Sequence, residues 1–169
     1  MQEYYMLEIP GRPIPKSNIY KARVVGNRAV IYTTKELEQY EMMIGKIAEE
    51  AIPEILRGFH SLYLRVYSTK GRLIDIDNCY KALLDSLDNS KVIKRGKKEV
   101  QVCNTGIEND KYFQLLVGER IIVDKKEEER LEVIIAPYEG LFKFSNLIKK
   151  IYNLDDDYCK NLFLPYKEG

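Results

Sequence analysis

Leu73-Ile74-Asp75-Ile76-Asp77-Asn78-Cys79-Tyr80-Lys81-Ala82-Leu83-Leu84-Asp85-Ser86-Leu87 decides how the chain is read. Ile76, Tyr80, Leu83, Leu84 and Leu87 recur at helical spacing, which predicts a helix to about Asp88 with one face for a core. Asp77, Lys81 and Asp85, at i, i+4 and i+8, share another face. Asp75 stands two residues before Asp77, and in an extended lead-in residues two apart point the same way. Both carboxylates then approach one spot at the mouth of the helix. Carboxylates that close repel unless a cation lies between them. Mg2+, which takes oxygen ligands from few protein groups, suits the pair. A plainer reading competes: Asp77 or Asn78 caps the helix, Asp75 is solvated, and Lys81 with Asp85 is an i,i+4 pair. Features elsewhere in the chain tip the balance towards the metal.

At 169 residues, 45% hydrophobic and 31% charged, the chain is long enough for one globular domain with a sizeable core and marginal for two. No stretch is long and apolar enough for a membrane span, and Met1-Gln2-Glu3-Tyr4-Tyr5 lacks the basic start and apolar run of a signal peptide. The expectation is an intracellular protein with no membrane partner. Cys79, Cys103 and Cys159 are odd in number and far apart, so they give neither a disulfide framework nor zinc spacing. A single histidine, His60, excludes a multi-histidine metal site. The net charge of +1 does not advertise a nucleic-acid binder, but its distribution says more. Arg12, Lys16, Lys21, Arg23, Arg28 and Lys35 follow one another with no acid between, as do Lys91, Lys94, Arg95, Lys97 and Lys98. Two basic segments on a neutral chain suit a phosphate-binding surface, against the alternative that loops are simply lysine-rich.

Tyr4 to Ile9 reads as a strand, followed by the stiff Pro10-Gly11-Arg12-Pro13-Ile14-Pro15-Lys16. Ala22 to Tyr32 reads as a hairpin about Gly26-Asn27. Thr33 and Glu36 form a capping-box signal for a helix whose apolar face is Leu37, Tyr40, Ile44, Ile47, Ala48 and Ala51, ended by Pro53. Ser61 to Tyr67 alternates as a half-buried strand, with Leu62, Leu64 and Val66 opposite Tyr63, Arg65 and Tyr67. After the central helix, Lys91 to Val102 suits a basic hairpin turning near Gly96. Tyr112 to Val123 is a strand, Asp124 to Glu129 a charged turn, and Leu131 to Ala136 its antiparallel partner. Ser145 to Tyr152 and Asp156 to Leu162 are short helical patterns. The sum is α+β: a mixed or mainly antiparallel sheet packed by two main helices, with an extra C-terminal helical tail.

The order of these pieces resembles a family. Pro13-Ile14-Pro15-Lys16 precedes a helix and a strand, then Asp75-x-Asp77-Asn78-x-x-Lys81-x-x-x-Asp85-x-Leu87. Asn109-Asp110 leads into a strand closed by Glu129-Arg130-Leu131-Glu132-Val133. From about residue 8 to 136 this is similar to the RusA-type Holliday junction resolvases, common in prophages. The resemblance implies a RusA-like endonuclease domain over residues 1–137, with 138–169 a helical extension of it. It implies a homodimeric, Mg2+-dependent endonuclease, with Mn2+ as a substitute ion, that nicks two strands of a four-way DNA junction symmetrically in recombination and repair. The setting is the cytoplasm of a bacterial or phage-infected cell. Carried over residue by residue, Asp75, Asp77 and Asp110 become the catalytic, metal-holding acids, and Lys81 assists one helical turn past Asp77. Asp85, Asn78 and Asn109 support them. The two basic segments, outside that carry-over, supply the residues expected to face DNA: Lys16, Lys21, Arg23, Lys94, Arg95, Lys97 and Lys98.

Two departures stand out. Asn109 occupies a position where the family has an acid, and the stretch between Leu87 and Asn109, with its basic hairpin, exceeds the family's connection. Asn109 motivates the alternative function, a branched-DNA-binding module of the same fold that does not cleave. An aspartyl phosphatase needs a hydrophobic strand running straight into Asp75, and Ser68-Thr69-Lys70-Gly71-Arg72 intrudes. A calcium loop fails because Asp75-Ile76-Asp77-Asn78 lacks the required glycine and terminal glutamate. A purely structural domain accounts least well for the ordered set of motifs.

Overall fold

The computed structural model describes residues 3–16, 20–26, 28–71 and 73–163. Strands β1 (Tyr5–Pro10), β4 (His60–Thr69), β7 (Phe113–Val123) and β8 (Arg130–Pro137) form one mixed sheet in the order β1-β8-β4-β7. Strands β2 (Tyr20–Val25) and β3 (Arg28–Thr33) form a separate hairpin, and β5 (Val92–Arg95) with β6 (Lys98–Gln101) another. Of the Gly26-Asn27 turn expected for the first, Asn27 lies outside the described residues. The second turns at Gly96, whose φ of 65° favours glycine. Helices α1 (Lys35–Ala51), α2 (Ile76–Leu87), α3 (Leu141–Tyr152) and α4 (Asp156–Phe163) complete the α+β fold.

Helix α1 begins one residue later than the capping-box pattern predicts. Thr34, not Thr33, is the N-cap, and its Oγ1 accepts from the Leu37 N–H at 3.3 Å. The helix buries Leu37, Tyr40, Ile44 and Ala48, the face its periodicity predicts, against one face of the sheet. Helix α2 adds Cys79, Ala82, Leu83 and Leu87 to the same core, where Leu7, Ile9, Leu62, Leu64, Val66, Leu131, Val133 and Ile135 point up from the strands.

Two features of the sheet depart from the sequence reading. Strand β8 is not the partner of β7. It pairs antiparallel with β4 (Leu64↔Val133) and with β1 (Leu7↔Val133), while β7 runs parallel to β4 (Leu64↔Gly118). The segment β4-α2-β7 is thus a crossover unit, which parallel strands require. The charged turn after β7 passes the end of β4, and Glu129 there accepts from the Thr69 N–H at 3.0 Å and its hydroxyl at 2.8 Å.

Strand β4, expected to be half-buried, is buried on both faces because α3 and α4 cover the second one. There Tyr63, Ile134 and Ala136 meet Phe144, Ile148 and Phe163. Arg65 survives in this layer by pairing with Glu119 at 2.5 Å and stacking on Tyr152, 3.6 Å from the ring centroid. Glu119 also accepts from the Tyr63 and Tyr158 hydroxyls. The periodicity correctly places Arg65 and the two tyrosines Tyr63 and Tyr67 on the face away from Leu62. It holds no sign of what covers that face.

Candidate active site at the mouth of α2

Asp75 ends the extended lead-in and is the N-cap of α2, with φ −71° and ψ 121°. Its Oδ1 accepts from the Asp77 N–H at 3.2 Å and its Oδ2 from the Asn78 amide at 3.1 Å. The cap is therefore neither Asp77 nor Asn78, the two residues that the plainer sequence reading assigns to it. Asp75 and Asp77 are both exposed, and the Asp77 carboxylate has no side-chain partner among the described residues. Two acids therefore share one open helix N-terminus, where the helix dipole favours negative charge. Their field reaches inward. The buried Cys79 thiol is pushed up to about 12 by burial first and by Asp75 second. The Tyr80 phenol is raised by burial and then by Asp77.

Two residues the sequence reading did not single out hold this turn in place. Arg120 on β7 donates to the Ile74 carbonyl at 2.5 Å, which tethers the lead-in to the sheet. Gly118 lets α2 approach. A Cβ there would lie 2.6 Å from the Tyr80 hydroxyl and 2.9 Å from Ile76. Neither carries a sequence signal beyond an arginine and a glycine in a strand.

Lys81 is exposed one turn beyond Asp77, as the spacing requires. Asp110 is elsewhere in the chain. Ile107 bridges to Asp88, and its N–H donates to the Leu87 carbonyl at 2.9 Å, so this segment abuts the C-terminal end of α2. Asp110 opens a 3-10 turn three residues later, ahead of β7. A 12-residue helix is roughly 18 Å long, so one chain sets Asp110 and the Asp75–Asp77 pair towards opposite ends of α2. Accordingly, among the described residues no group of three or more His, Cys, Asp or Glu side chains is placed to hold a metal ion. Asn109 caps the turn, its Oδ1 accepting from the Lys111 N–H at 3.1 Å. That is a task an amide oxygen performs as well as a carboxylate.

The basic residues divide. Lys94, Lys97 and Lys98 are exposed on the β5–β6 hairpin. The side chains of Lys21, Arg23 and Arg95 lie outside what is described. Lys16, expected on a DNA-facing surface, is instead buried. It is 4% exposed and pairs with Asp85 on α2 and, at 3.4 Å, with Glu41 on α1. Burial lowers its pKa, opposed by the Glu41 charge. Asp85 is thus part of a charged tie between the N-terminal loop and both helices. Lys16→Ala should cost about 3 kcal/mol in urea unfolding, because it strands the buried Glu41 charge. A cost below about 1 kcal/mol would mean that Lys91, 3.9 Å from Glu41, compensates for the missing cation.

The acids sit on open surface. A cleft of about 640 Å3 between the end of β8 and α3, lined by Glu139, Lys143 and Lys150 among others, contains none of them. Residues 10–135 match the family model of endodeoxyribonuclease RusA, a span that includes every acid named above as a metal-holding candidate. The chain belongs to the RusA endodeoxyribonuclease family. Membership assigns it to endonucleases that act on Holliday junctions. No curated protein matches its sequence significantly. Among solved structures, the periplasmic domain of Helicobacter pylori MotB (residues 90-256) is similar over 92% of this chain and 88% of that one. At 10% identity and a TM-score of 0.36, that likeness bears on neither fold nor function. The RusA match ends at residue 135, before α3, and α3 and α4 cover the second face of the sheet.

Proposed function

We propose that this RusA-family chain is a divalent-metal-dependent endonuclease that resolves four-way DNA junctions by paired symmetric cuts, working as a homodimer in the cytoplasm. The observation that carries the reading is the Asp75–Asp77 pair, exposed together on the first turn of α2 within the family match. Two hard oxygen donors on one turn fit Mg2+ or Mn2+, ions bound through one or two carboxylates plus substrate phosphate. Asp75 and Asp77 would hold the ion, with Asp110 as third acid. When bound, it supplies an acidified water and charge neutralisation on the scissile phosphate.

The chain's own residues do the rest. The dipole of α2, whose Asp77 N–H is already held by Asp75, favours a phosphate near the two acids once an ion is bound. Lys81, exposed on the same face, offsets negative charge as it develops on the phosphate. Arg120 and Gly118 fix the turn, so the two carboxylates are set before DNA arrives. Because one chain sets Asp110 towards the far end of α2, the third acid of each site comes from a second copy. A two-fold homodimer then has two identical sites, one for each cut.

A supercoiled cruciform plasmid with Mg2+ tests the activity. Paired nicks across the junction support it, and tight binding with no nicking over hours favours the non-cleaving module instead. Asn109, which motivates that alternative, gives it little support, since its oxygen is committed to the turn.

The exposed hairpin lysines give a further expectation. Lys97→Glu with Lys98→Glu should weaken junction binding and lower the slope of log K against log salt by roughly 2, about one unit for each phosphate no longer neutralised. An unchanged slope in a salt titration would make the hairpin a loop that does not touch DNA.

A further inference from the structure

One end of the central sheet carries aromatic side chains that the mechanism does not use. His60, the first residue of β4, is in register with Phe113 of β7 on one side and with Pro137 of β8 on the other. The residues one step outside are Phe59, Tyr112 and Tyr138, so three neighbouring strands each place an aromatic residue at the same end of the sheet. Phe59 and Tyr112 meet edge to face with ring centroids 6.0 Å apart, and the Tyr138 N–H donates to the Phe59 carbonyl at 2.9 Å. Phe59 is 56% exposed and Tyr138 42%, while Tyr112 is half-buried. A single exposed apolar side chain needs no explanation, but a row of three does. The row lies beside a candidate acid, because Asp110 opens the 3-10 turn that ends at Tyr112. The Glu108 N–H donates to the Leu56 carbonyl at 3.1 Å, which fastens the loop before Phe59 to the segment before Asp110. Arg57 and Lys111, next to these rings in the chain, are exposed, and neither pairs with a carboxylate among the described residues. The Lys111 Nζ is 5.1 Å from the centroid of the Tyr112 ring.

We infer that Phe59, backed by Tyr112 and Tyr138, stacks on a nucleobase that has left its own stack at the branch point, next to the phosphate that Asp110 helps to hold. The inference rests on the proposed junction nuclease and names residues by which it tells a junction from a duplex. An aromatic face accepts any of the four bases, so the row reads no sequence. It reads structure instead, because lifting a base out costs least where its stack or pairing is already interrupted. A crossover offers such bases, and a continuous duplex does not. The unpaired cations beside the rings suit the backbone on either side of that base. They and the chain's membership of a DNA endonuclease family favour a nucleic acid over a protein as the occupant.

Binding of the full chain to a four-way junction without divalent metal tests this, since the readout needs no cleavage. An abasic residue is placed in turn at each nucleotide next to the crossover. The wild type should lose at least about fivefold in affinity at one or more of these positions. Phe59→Leu keeps an apolar side chain but no π face. It should lose as much from the intact junction, lose nothing more from the abasic one, and bind a continuous duplex as the wild type does. Phe59→Trp should keep the wild-type affinity. Far-ultraviolet circular dichroism should be the same for all three, because the side chain is exposed. Wild-type junction affinity in Phe59→Leu, an equal loss on junction and duplex, or a further loss on the abasic junction would each overturn the inference. So would a change of oligomeric state in sedimentation, which would make the row a contact between copies. Nicking, assayed separately with Mg2+, keeps the two readings apart. A wild type that shows the abasic effect and never nicks supports the stacking row and counts against the nuclease. A wild type that nicks, with a Phe59→Leu variant that binds as tightly, does the reverse.

Discussion

Asp77→Asn should abolish Mg2+-dependent nicking of a four-way junction, by at least a hundredfold in single-turnover rate, and leave junction binding equal or tighter. The size follows from position. Removing a group that merely supports a metal ligand costs about 10–100-fold, so removing a ligand carboxylate costs more. The binding half follows from charge, because the exposed Asp77 carboxylate has no side-chain partner among the described residues and repels phosphate when no ion is bound. Asp75 permits a finer test, because it is both cap and candidate ligand. Asparagine caps as well as aspartate, so Asp75→Asn should lose nicking with stability nearly unchanged. Asp75→Ala should lose nicking and about 1 kcal/mol of stability as well. Undiminished cleavage by both Asp77→Asn and Asp75→Asn refutes the site. Loss of cleavage only in proportion to loss of fold would reduce Asp75 to a cap.

The mouth of α2 is legible in the sequence because its signals are local. The spacing of Ile76, Tyr80, Leu83 and Leu87 sets the buried face, and the two-residue offset of Asp75 and Asp77 sets their common exposure. The hairpin at Gly96 is legible for the same reason. What fails to show is non-local. Two consecutive strands joined by a short turn read as a hairpin, yet β4 lies between β7 and β8, because a strand apolar enough to be covered on both faces takes a central place. Lys16 looks like one member of a basic run. Its partners, Glu41 and Asp85, are on two different helices, and only the packed loop brings them together. The distance of Asp110 from the α2 mouth is equally hidden. Motif order along a chain does not say at which end of a parallel strand a residue falls.

The most demanding expectation concerns that distance. Asp77→Asn and Asp110→Asn proteins, each expected to be inactive alone, should recover nicking when hybrid dimers form between them. If each site combines Asp75 and Asp77 of one copy with Asp110 of the other, a hybrid has one site carrying both substitutions and one carrying neither. The intact site cuts one strand of the junction, so total nicking returns to about half the wild-type rate per hybrid dimer, from a background at least about a hundredfold lower. If all three acids of a site came from one chain, each site of the hybrid would carry one substitution and nothing would recover. Co-expression with two different affinity tags isolates the hybrid, and strand-specific end labels on the junction count the cuts. Recovery restricted to one strand per junction supports the shared site, and silence in a verified hybrid sends Asp110 back to its own chain. The geometry favours recovery, because the segment holding Asp110 is fastened to the last turn of α2 through Leu87 and Asp88, while Asp75 and Asp77 form the first.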